Sequence, residues 1–298
     1  MSTLVLTMTG AALLTACGSS GDGGGSSPGP THAANSALHD MLPASVQKSG
    51  TLTVATDASY PPFEFYESDN KTLGGADIEL AKALGSQLGV TFKLQNTAFD
   101  GIVPGLAADK FDLAMSGIAD IAVRQKQVSF VDYATNGDAF LTLKADASKY
   151  PSWKSLCGIN VAVQSGTDMV DDLHKKTKEC TDAGKSAITI SDYQTQTQSV
   201  LAVTSGRSKV LVSTGGSATY IAKQSNGQLA AIVPPDNPPG TFGTLGIALP
   251  KDQQQLAQAL QAAVNELIKD GTYTKIMDKW GLTGCCTLDK ATINHAVG

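Results

Sequence analysis

The 298-residue chain lacks the usual marks of a nucleic-acid-binding protein, a metalloprotein or a serine hydrolase. Its 22 basic residues are outnumbered by 27 acidic ones and form no basic run, so nucleic acid is not an expected partner. It has only 4 histidines, without HExxH spacing, and no GxSxG motif. We therefore expect no metal, no cofactor and no catalytic residue.

No apolar stretch is long enough to predict a transmembrane helix, but a shorter one lies at the N-terminus. Residues 4–14, LVLTMTGAALL, have the length of a signal-peptide core, and LTAC at residues 14–17 has the form of a bacterial lipobox. A segment rich in glycine and serine follows, with too little apolar surface to fold. We predict a lipoprotein signal peptide over 1–16, a lipid anchor at Cys17 and a flexible tether over 17–49, which places the protein on the outer face of the cell membrane.

An extracytoplasmic location favours disulfides, and four cysteines follow Cys17. Cys157 and Cys180 flank one predicted strand–helix unit and are expected to pair; two buried thiols are the alternative. Cys285 and Cys286 are adjacent, and form a vicinal disulfide or stay free. Four cysteines allow three pairings, and the spacing does not choose among them.

From residue 51 onwards, short apolar runs alternate with segments of helical periodicity, in two series over 51–145 and 159–281. This alternation predicts mostly parallel sheets with helices on both faces, and two series predict two α/β lobes. In open α/β sheets, ligands bind beyond the carboxyl ends of the strands.

Aromatic residues make up only 6% of the chain, yet several follow predicted strands. Rings at strand ends can enclose a planar or apolar ligand. We expect Tyr60, Phe63 and Phe99 to contact a ligand, and Phe65 and Tyr66 to pack at the edge of a lobe.

Two other strand ends carry groups suited to an anion. In MSGIADIAVR (115–124), Ser116 offers a hydroxyl, Gly117 allows close backbone approach, and Arg124 can bind a carboxylate with its planar fork. Taken alone, Arg124 on a short helix is a solvated surface charge. In VAVQSGTDMVDDL (161–173), the amides of residues 166–168 begin a helix and form an anion site, with Thr167 also able to act as an ordinary N-cap.

Six segments together resemble one known family. They are TVATDASYPPFEF, GGADIELAKALG, FDGIVPGLAADKFDLAMSGIAD, RQKQVSFVDY, VAVQSGT and GTFGTLGIALPKD, in this order over roughly residues 50–282. They resemble the amino-acid-type (family 3) solute-binding proteins of bacterial ABC importers. The resemblance implies a periplasmic-binding-protein-like type II fold, with two α/β lobes that close on a ligand by a hinge. Lobe one would comprise 50–142 and 243–298, and lobe two 143–242, with crossings near Thr142–Ala145 and Pro239–Thr244.

The resemblance also implies roles for individual residues. Tyr60 and Phe63 would cover the ligand, Asp57 would contact its polar groups, and Ser116 with Arg124 would bind its α-carboxylate. The helix start at Gly166 and Thr167 would complete that grip. The full expected ligand-binding set is Asp57, Tyr60, Phe63, Phe99, Ser116, Gly117, Arg124, Gly166, Thr167, Asp168 and Thr214.

Three positions depart from the family pattern. Ala119 replaces a hydroxyl residue, Asp168 replaces a second threonine, and Thr214 stands where the family has its ammonium-binding aspartate. A desolvated ammonium group without a carboxylate partner binds poorly. Either Asp168 supplies the missing charge, or the ligand is a modified amino acid or other small organic acid without a free primary ammonium.

The expected function is therefore that of a substrate-binding lipoprotein of an ABC importer, which captures a polar amino acid or a related compound. We expect a monomer that acts with ABC permease and ATPase subunits and is not an enzyme. The alternative is a cyclohexadienyl or arogenate dehydratase-like enzyme on the same fold. Thr214 argues against it, because such enzymes place an acid near that position. A sensor lobe of a larger receptor is a third, less favoured interpretation.

Overall fold

The computed structural model describes residues 34–237 and 243–296. The predicted signal peptide, Cys17 and most of the predicted crossing at Pro239–Thr244 lie outside these residues. Within them, no helix combines the length and apolar character that crossing a membrane requires. The described residues belong to a single compact unit, Thr31–Gly298.

Strands and helices alternate along the chain. The strands are β1 (Thr51–Thr56), β2 (Ser59–Tyr60), β3 (Glu64–Tyr66), β4 (Leu73–Gly74), β5 (Thr91–Asn96), β6 (Leu113–Ala114), β7 (Val128–Asn136), β8 (Asp138–Leu143), β9 (Asn160–Gln164), β10 (Thr189–Tyr193), β11 (Val210–Thr214), β12 (Leu229–Ile232) and β13 (Gly243–Pro250). The α-helices are α1 (Ser36–Asp40), α2 (Ala44–Ser49), α3 (Ala76–Leu88), α4 (Ile102–Ala107), α5 (Ala122–Gln125), α6 (Asp168–Asp182), α7 (Gln196–Thr204), α8 (Gly215–Gln224), α9 (Gln254–Lys269) and α10 (Thr272–Lys279). Short 3₁₀ helices lie at Phe99–Gly101, Lys144–Lys149 and Trp153–Leu156.

The strands form two five-stranded mixed sheets and a small third one. The first sheet has the order β5-β1-β6-β13-β7, and the second has the order β10-β9-β11-β8-β12. In each sheet three strands are parallel, and the remaining two bring antiparallel pairing. The sheets confirm the predicted fold class, an α/β protein of the two-lobe, periplasmic-binding-protein-like type II.

The chain passes from the first sheet to the second at Gly137. β7 ends at Asn136, and β8 begins at Asp138 and pairs with β11 and β12 of the second sheet. This lies earlier than the crossing expected near Thr142–Ala145. Residues 138–142, assigned from the sequence to lobe one, therefore belong to the second sheet, because their backbone hydrogen bonds are made there.

Apolar periodicity explains how the elements pack. In α3, Ile78, Ala81, Leu84 and Leu88 are all buried, as their helical spacing predicts. Successive residues of β8 point to opposite faces of the second sheet and pack in different cores. Phe140 packs with Trp153 on one face, and Leu141 packs with Ala162 on the other. Each sheet is thus covered on both faces.

Residues 36–49 correct the predicted tether. They form α1 and α2, and Leu38, Leu42 and Val46 are buried in the first core. Asn35 is the N-cap of α1, because its Oδ1 accepts a hydrogen bond of 3.1 Å from the amide of Ala37. The tether prediction over 17–49 is therefore wrong for this part, because three buried apolar side chains, one from each helix and one from the turn between them, attach it to the core.

β7 has no counterpart among the predicted strands. Its sequence, VSFVDYATN, alternates poorly because nearly every residue is buried, polar ones included. β13 pairs along one edge of β7. Along the other edge, the amide of Asp132 donates to the carbonyl of Thr292 at 2.9 Å, and the amide of Phe130 donates to Asn294 Oδ1 at 2.8 Å. The C-terminal residues thus cover the free edge of this strand.

Two disulfides are present among the described residues. Cys157 pairs with Cys180, which confirms the expected pairing, and the adjacent Cys285 and Cys286 form a vicinal disulfide, which decides between the two alternatives. The first bridge joins the segment before β9 to the last turn of α6. It therefore attaches the long helix α6 to the second sheet.

Replacing Cys157 and Cys180 by serine should lower the free energy of unfolding by about 3 kcal/mol, because the bridge closes a loop of 23 residues in the unfolded chain. Urea denaturation measures the change. The matched control is the Cys285→Ser, Cys286→Ser pair, which removes a bridge between neighbours and should cost far less. Equal losses for the two pairs would contradict the loop-closure argument.

Candidate functional site

The carboxyl ends of strands from both sheets meet at one small cavity. β1, β6 and β7 end on one side of it, and β9 and β11 end on the other. The cavity is small, about 280 Å³ including the open space at its mouth. Its walls are formed by Tyr60, Phe99, Gly117, Ala119, Asn136, Gln164, Thr167, Asp168, Met169, Thr214 and Leu245.

A buried polar network supports the first-sheet side of the cavity. Ser116 Oγ accepts a hydrogen bond from the amide of Asp57 at 2.8 Å and donates one to Glu64 Oε1 at 2.9 Å. Asp77 accepts from the Tyr133 hydroxyl at 2.7 Å and from the Gly117 amide at 3.0 Å. Burial raises the pKa of Glu64 well above its usual value, and the charge of Asp77 adds to this rise, which favours a proton on Glu64.

Asp57 contacts the second sheet through Gln164. Gln164 Nε2 donates to Asp57 Oδ2 at 2.6 Å, and both side chains are buried. Burial raises the pKa of Asp57, while hydrogen bonds from Ser59 and Gln164 oppose the rise. The Gln164 amide therefore joins the end of β9 to the end of β1.

Tyr60 makes a second connection between the sheets. Its hydroxyl donates to Thr214 Oγ1 at 2.9 Å and accepts from the Thr214 amide at 3.2 Å. Thr214 also caps α8, because its Oγ1 accepts from the Ser217 amide. One tyrosine hydroxyl thus holds the end of β11 against the loop after β1.

Arg124 lies between both sides of the cavity and is only 7% exposed. Its guanidinium donates to the carbonyls of Ala119 at 3.0 Å and Gly166 at 3.1 Å. Asp168 Oδ1 is 3.8 Å from Nη2, and the guanidinium lies 5.7 Å from the centre of the Phe99 ring. The surface-charge alternative for Arg124 therefore does not apply.

The turn before α6 requires glycine. Gly166 has φ of +79°, and a Cβ there would lie 2.8 Å from the Cα of Asp100 on the opposite side. Thr167 donates its hydroxyl to the Gln164 carbonyl at 2.8 Å instead of accepting from a helix amide, so it does not act as an ordinary side-chain N-cap. α6 therefore begins against the loop of the other sheet.

Most residues predicted for the site surround this cavity, at different depths. Six line it: Tyr60, Phe99, Gly117, Thr167, Asp168 and Thr214. Asp57, Ser116, Arg124 and Gly166 lie immediately behind the wall, bonded to residues around it. Phe63 differs from the expectation, because it is fully buried and stacks behind Tyr60 with ring centres 6.0 Å apart.

Sequence reasoning missed Asn136, Gln164, Met169 and Leu245. Asn136 ends strand β7, which the sequence did not predict. Gln164 ends the predicted strand β9, so its place at a strand end could have identified it. Asn136 Oδ1 and Gln164 Oε1 are buried and have no hydrogen-bond partner in the part of the chain that the structure describes. Each of these two residues therefore lines the cavity and carries an unpaired acceptor oxygen.

Comparison with known proteins identifies relatives over most of the chain. A sequence model of the family described as bacterial extracellular solute-binding proteins, family 3, matches residues 52–283. The arginine-binding protein ArgT of Corynebacterium glutamicum is 29% identical over 87% of this chain and 83% of its own. A putative ABC transporter arginine-binding protein 2 of Escherichia coli is 33% identical over 77% of this chain and 90% of its own.

Solved structures agree with this result. An ancestral arginine-binding protein bound to arginine superposes with a TM-score of 0.70 at 32% identity, covering 78% of this chain and 98% of its own. An ancestral amino acid-binding protein described as a precursor of cyclohexadienyl dehydratase gives the same TM-score, 0.70, at 33% identity, over 79% and 97% of the two chains.

Tyr60→Phe should loosen the contact between the sheets, because it removes the hydroxyl that bonds Thr214. Loss of such a bond costs about 1–1.5 kcal/mol, so amide exchange around residues 213–217 should accelerate about tenfold. Hydrogen exchange followed by mass spectrometry measures it. Tyr66→Phe, at a ring that is 39% exposed, is the matched control. Unchanged exchange in Tyr60→Phe would show that this hydroxyl does not hold the two sides together.

Proposed function

The chain belongs to the bacterial extracellular solute-binding proteins of family 3, and we propose that it is the receptor of an ABC importer for a cationic amino acid such as arginine. Two supports converge on this solute. Relatives named as arginine-binding proteins cover most of the chain. The polar groups around the cavity suit a ligand that is rich in N–H donors.

The two acceptor oxygens of Asn136 and Gln164 are the observation that carries the proposal. Both are buried at the cavity without a partner among the described residues, and a buried acceptor left unpaired costs about 1–3 kcal/mol. A guanidinium group presents five N–H donors in a fixed plane and no acceptor. It can satisfy both oxygens, whereas a carboxylate side chain would meet them with repulsion.

The charges near the cavity point to the same class of solute. Asp57 and Asp168 are acidic and Arg124 is basic, so acidic side chains are in excess beside the cavity. An acidic excess favours a solute with a net positive charge, such as arginine at neutral pH. The face of Phe99 offers a surface on which a cation can stack.

Arg124 retains the capacity to bind the solute's carboxylate. Its hydrogen bonds to the carbonyls of Ala119 and Gly166 use two of its five N–H donors. Remaining donors are available for a carboxylate, which the helix start at Thr167 and Asp168 would approach from the other side. The grip that the family resemblance implied thus becomes part of the proposal.

The proposal also includes the two lobes, the lipid anchor and the transporter partners expected from the sequence. Lobe one would comprise residues 50–137 and 243–298 and lobe two residues 138–242, following the change of sheet at Gly137, and the lobes would close on the solute by a hinge. Cys17 would carry the lipid that anchors a monomeric receptor outside the cell membrane, where it would deliver solute to permease and ATPase subunits. No observation favours the dehydratase alternative, and the relative linked to that enzyme is itself described as amino acid-binding.

L-Arginine should bind to the chain lacking residues 1–17, with calorimetry as the measurement. L-Citrulline, which replaces the guanidinium with a neutral group of similar shape, should bind about 10- to 100-fold more weakly, since it loses a charge-assisted interaction of about 1.5–3 kcal/mol. L-Glutamate should not bind. Glutamate binding as tightly as arginine, no binding of any amino acid, or turnover of prephenate or arogenate would each contradict the proposed function.

Arg124→Ala should weaken L-arginine binding by at least tenfold, because it removes the proposed partner of the carboxylate. Arg124→Lys should restore little, since a point charge does not replace a planar fork. Agmatine, which is arginine without its carboxylate, is the matched ligand and should bind both variants and the natural chain about equally. Parallel losses for arginine and agmatine would mean that Arg124 acts only by holding Gly166 and Ala119.

A further inference from the structure

Asp138 lies beside Thr214, and this proximity could not be predicted from the sequence. It is the first residue of β8, and it lies directly opposite Thr214 in the antiparallel pairing of β8 with β11. Directly opposed residues of an antiparallel pair project from the same face of a sheet. Asp138 therefore shares a face with the strand-end position where the family pattern places an ammonium-binding aspartate.

The carboxylate of Asp138 is buried and incompletely bonded. Its residue is 3% exposed, and Oδ2 has no hydrogen-bond partner within the described ranges. Burial raises the pKa of Asp138 well above its usual value, and the charges of Asp168 and Asp172 add to the rise. A buried acid in such surroundings is costly unless a cation or donor meets it.

The two acids whose charges raise the pKa of Asp138 have basic neighbours. Asp168 lies 3.8 Å from the guanidinium of Arg124, and Asp172 lies 2.8 Å from the ammonium of Lys175. No corresponding ion pair of Asp138 occurs among the residues that the structure describes. Of the three carboxylates, Asp138 is therefore the one whose charge is left for a partner from outside the chain.

The surrounding cavities connect Asp138 with the solute site. Asn136 lines the cavity between the sheets and also a neighbouring one of about 500 Å³ including its opening, which Asp138 lines as well. Asn136 therefore borders both cavities, and Asp138 lies two residues further along the chain.

We propose that Asp138 supplies the negative charge that binds the α-ammonium group of the solute, with the Thr214 strand end beside it. The carboxylate is thereby displaced from the end of β11 to the start of the neighbouring strand. This inference rests on the proposed function, because it assigns a partner to one group of a cationic amino acid. It also assigns Asp168 to Arg124 and removes the need for Asp168 to bind the ammonium.

Asp138→Asn tests the assignment with two solutes that differ only in the ammonium group. L-Arginine carries it, and 5-guanidinopentanoate is the same molecule without it. Calorimetry should show arginine binding weakened about 10- to 100-fold by the substitution, as for the loss of a bond between charged groups, and 5-guanidinopentanoate binding changed less than about threefold. Asp172→Asn, which removes a nearby acid paired with Lys175, should change neither.

Two results would overturn the inference. Equal weakening of both solutes by Asp138→Asn would show a structural role only, and the same would follow from equal weakening by Asp138→Ser, a smaller second variant. A selective loss of arginine in Asp168→Asn but not in Asp138→Asn would make Asp168 the ammonium partner. Failure of the proposed function is distinguishable, because the natural chain would then bind neither solute.

Discussion

The buried acids behind the first-sheet wall are the constraint on which the site depends. Glu64 and Asp77 are fully buried, where an unbonded carboxyl group is costly, and each is held by hydrogen bonds to at least one of its oxygens. Their bonds reach the loops that form the cavity, since Glu64 holds Ser116 and Asp77 holds the Gly117 amide. Because Ser116 in turn accepts from the Asp57 amide, the ends of β1 and β6 are fixed to one another before any solute is considered. The main role of the buried polar residues of this lobe is therefore to fix the backbone of the loops that form the cavity wall. Contact with a solute is their secondary role.

The second lobe meets this fixed edge through few but specific contacts. Gln164, Thr214 and Arg124 each take part in a hydrogen bond that joins groups from different sheets or their loops. These contacts lie around the cavity, so any solute that enters must replace or share them. Gly166 permits the closest approach, because a side chain there would meet the backbone of Asp100. If the lobes close on the solute as proposed, binding and closure involve the same atoms.

The sequence predicted the fold well and the site in part, and the reasons differ. Alternating apolar runs locate parallel strands and amphipathic helices, because those periods are local. β7 escaped detection since it is buried on both faces, Asp132 and Ser129 included, and therefore lacks a period of two. Strand-end residues such as Tyr60 and Thr167 could be predicted from position alone. Asn136 and Asp138 could not, because their significance arises from pairing with elements far along the chain, Asp138 with Thr214 among them.

The departure at Thr214 illustrates why a missing residue in a motif is weak evidence for a missing function. A charge acts through its position in space, and adjacent antiparallel strands present opposed residues on one face about 5 Å apart. An aspartate moved across one strand pair therefore keeps its charge near the same place, although the sequence positions, 138 and 214, lie far apart. Position 214, where the family has aspartate, has a structural role in this chain, because the Thr214 hydroxyl bonds Tyr60 and caps α8. On this argument the chain retains a charge for the solute's ammonium group and gains a contact between its two sheets.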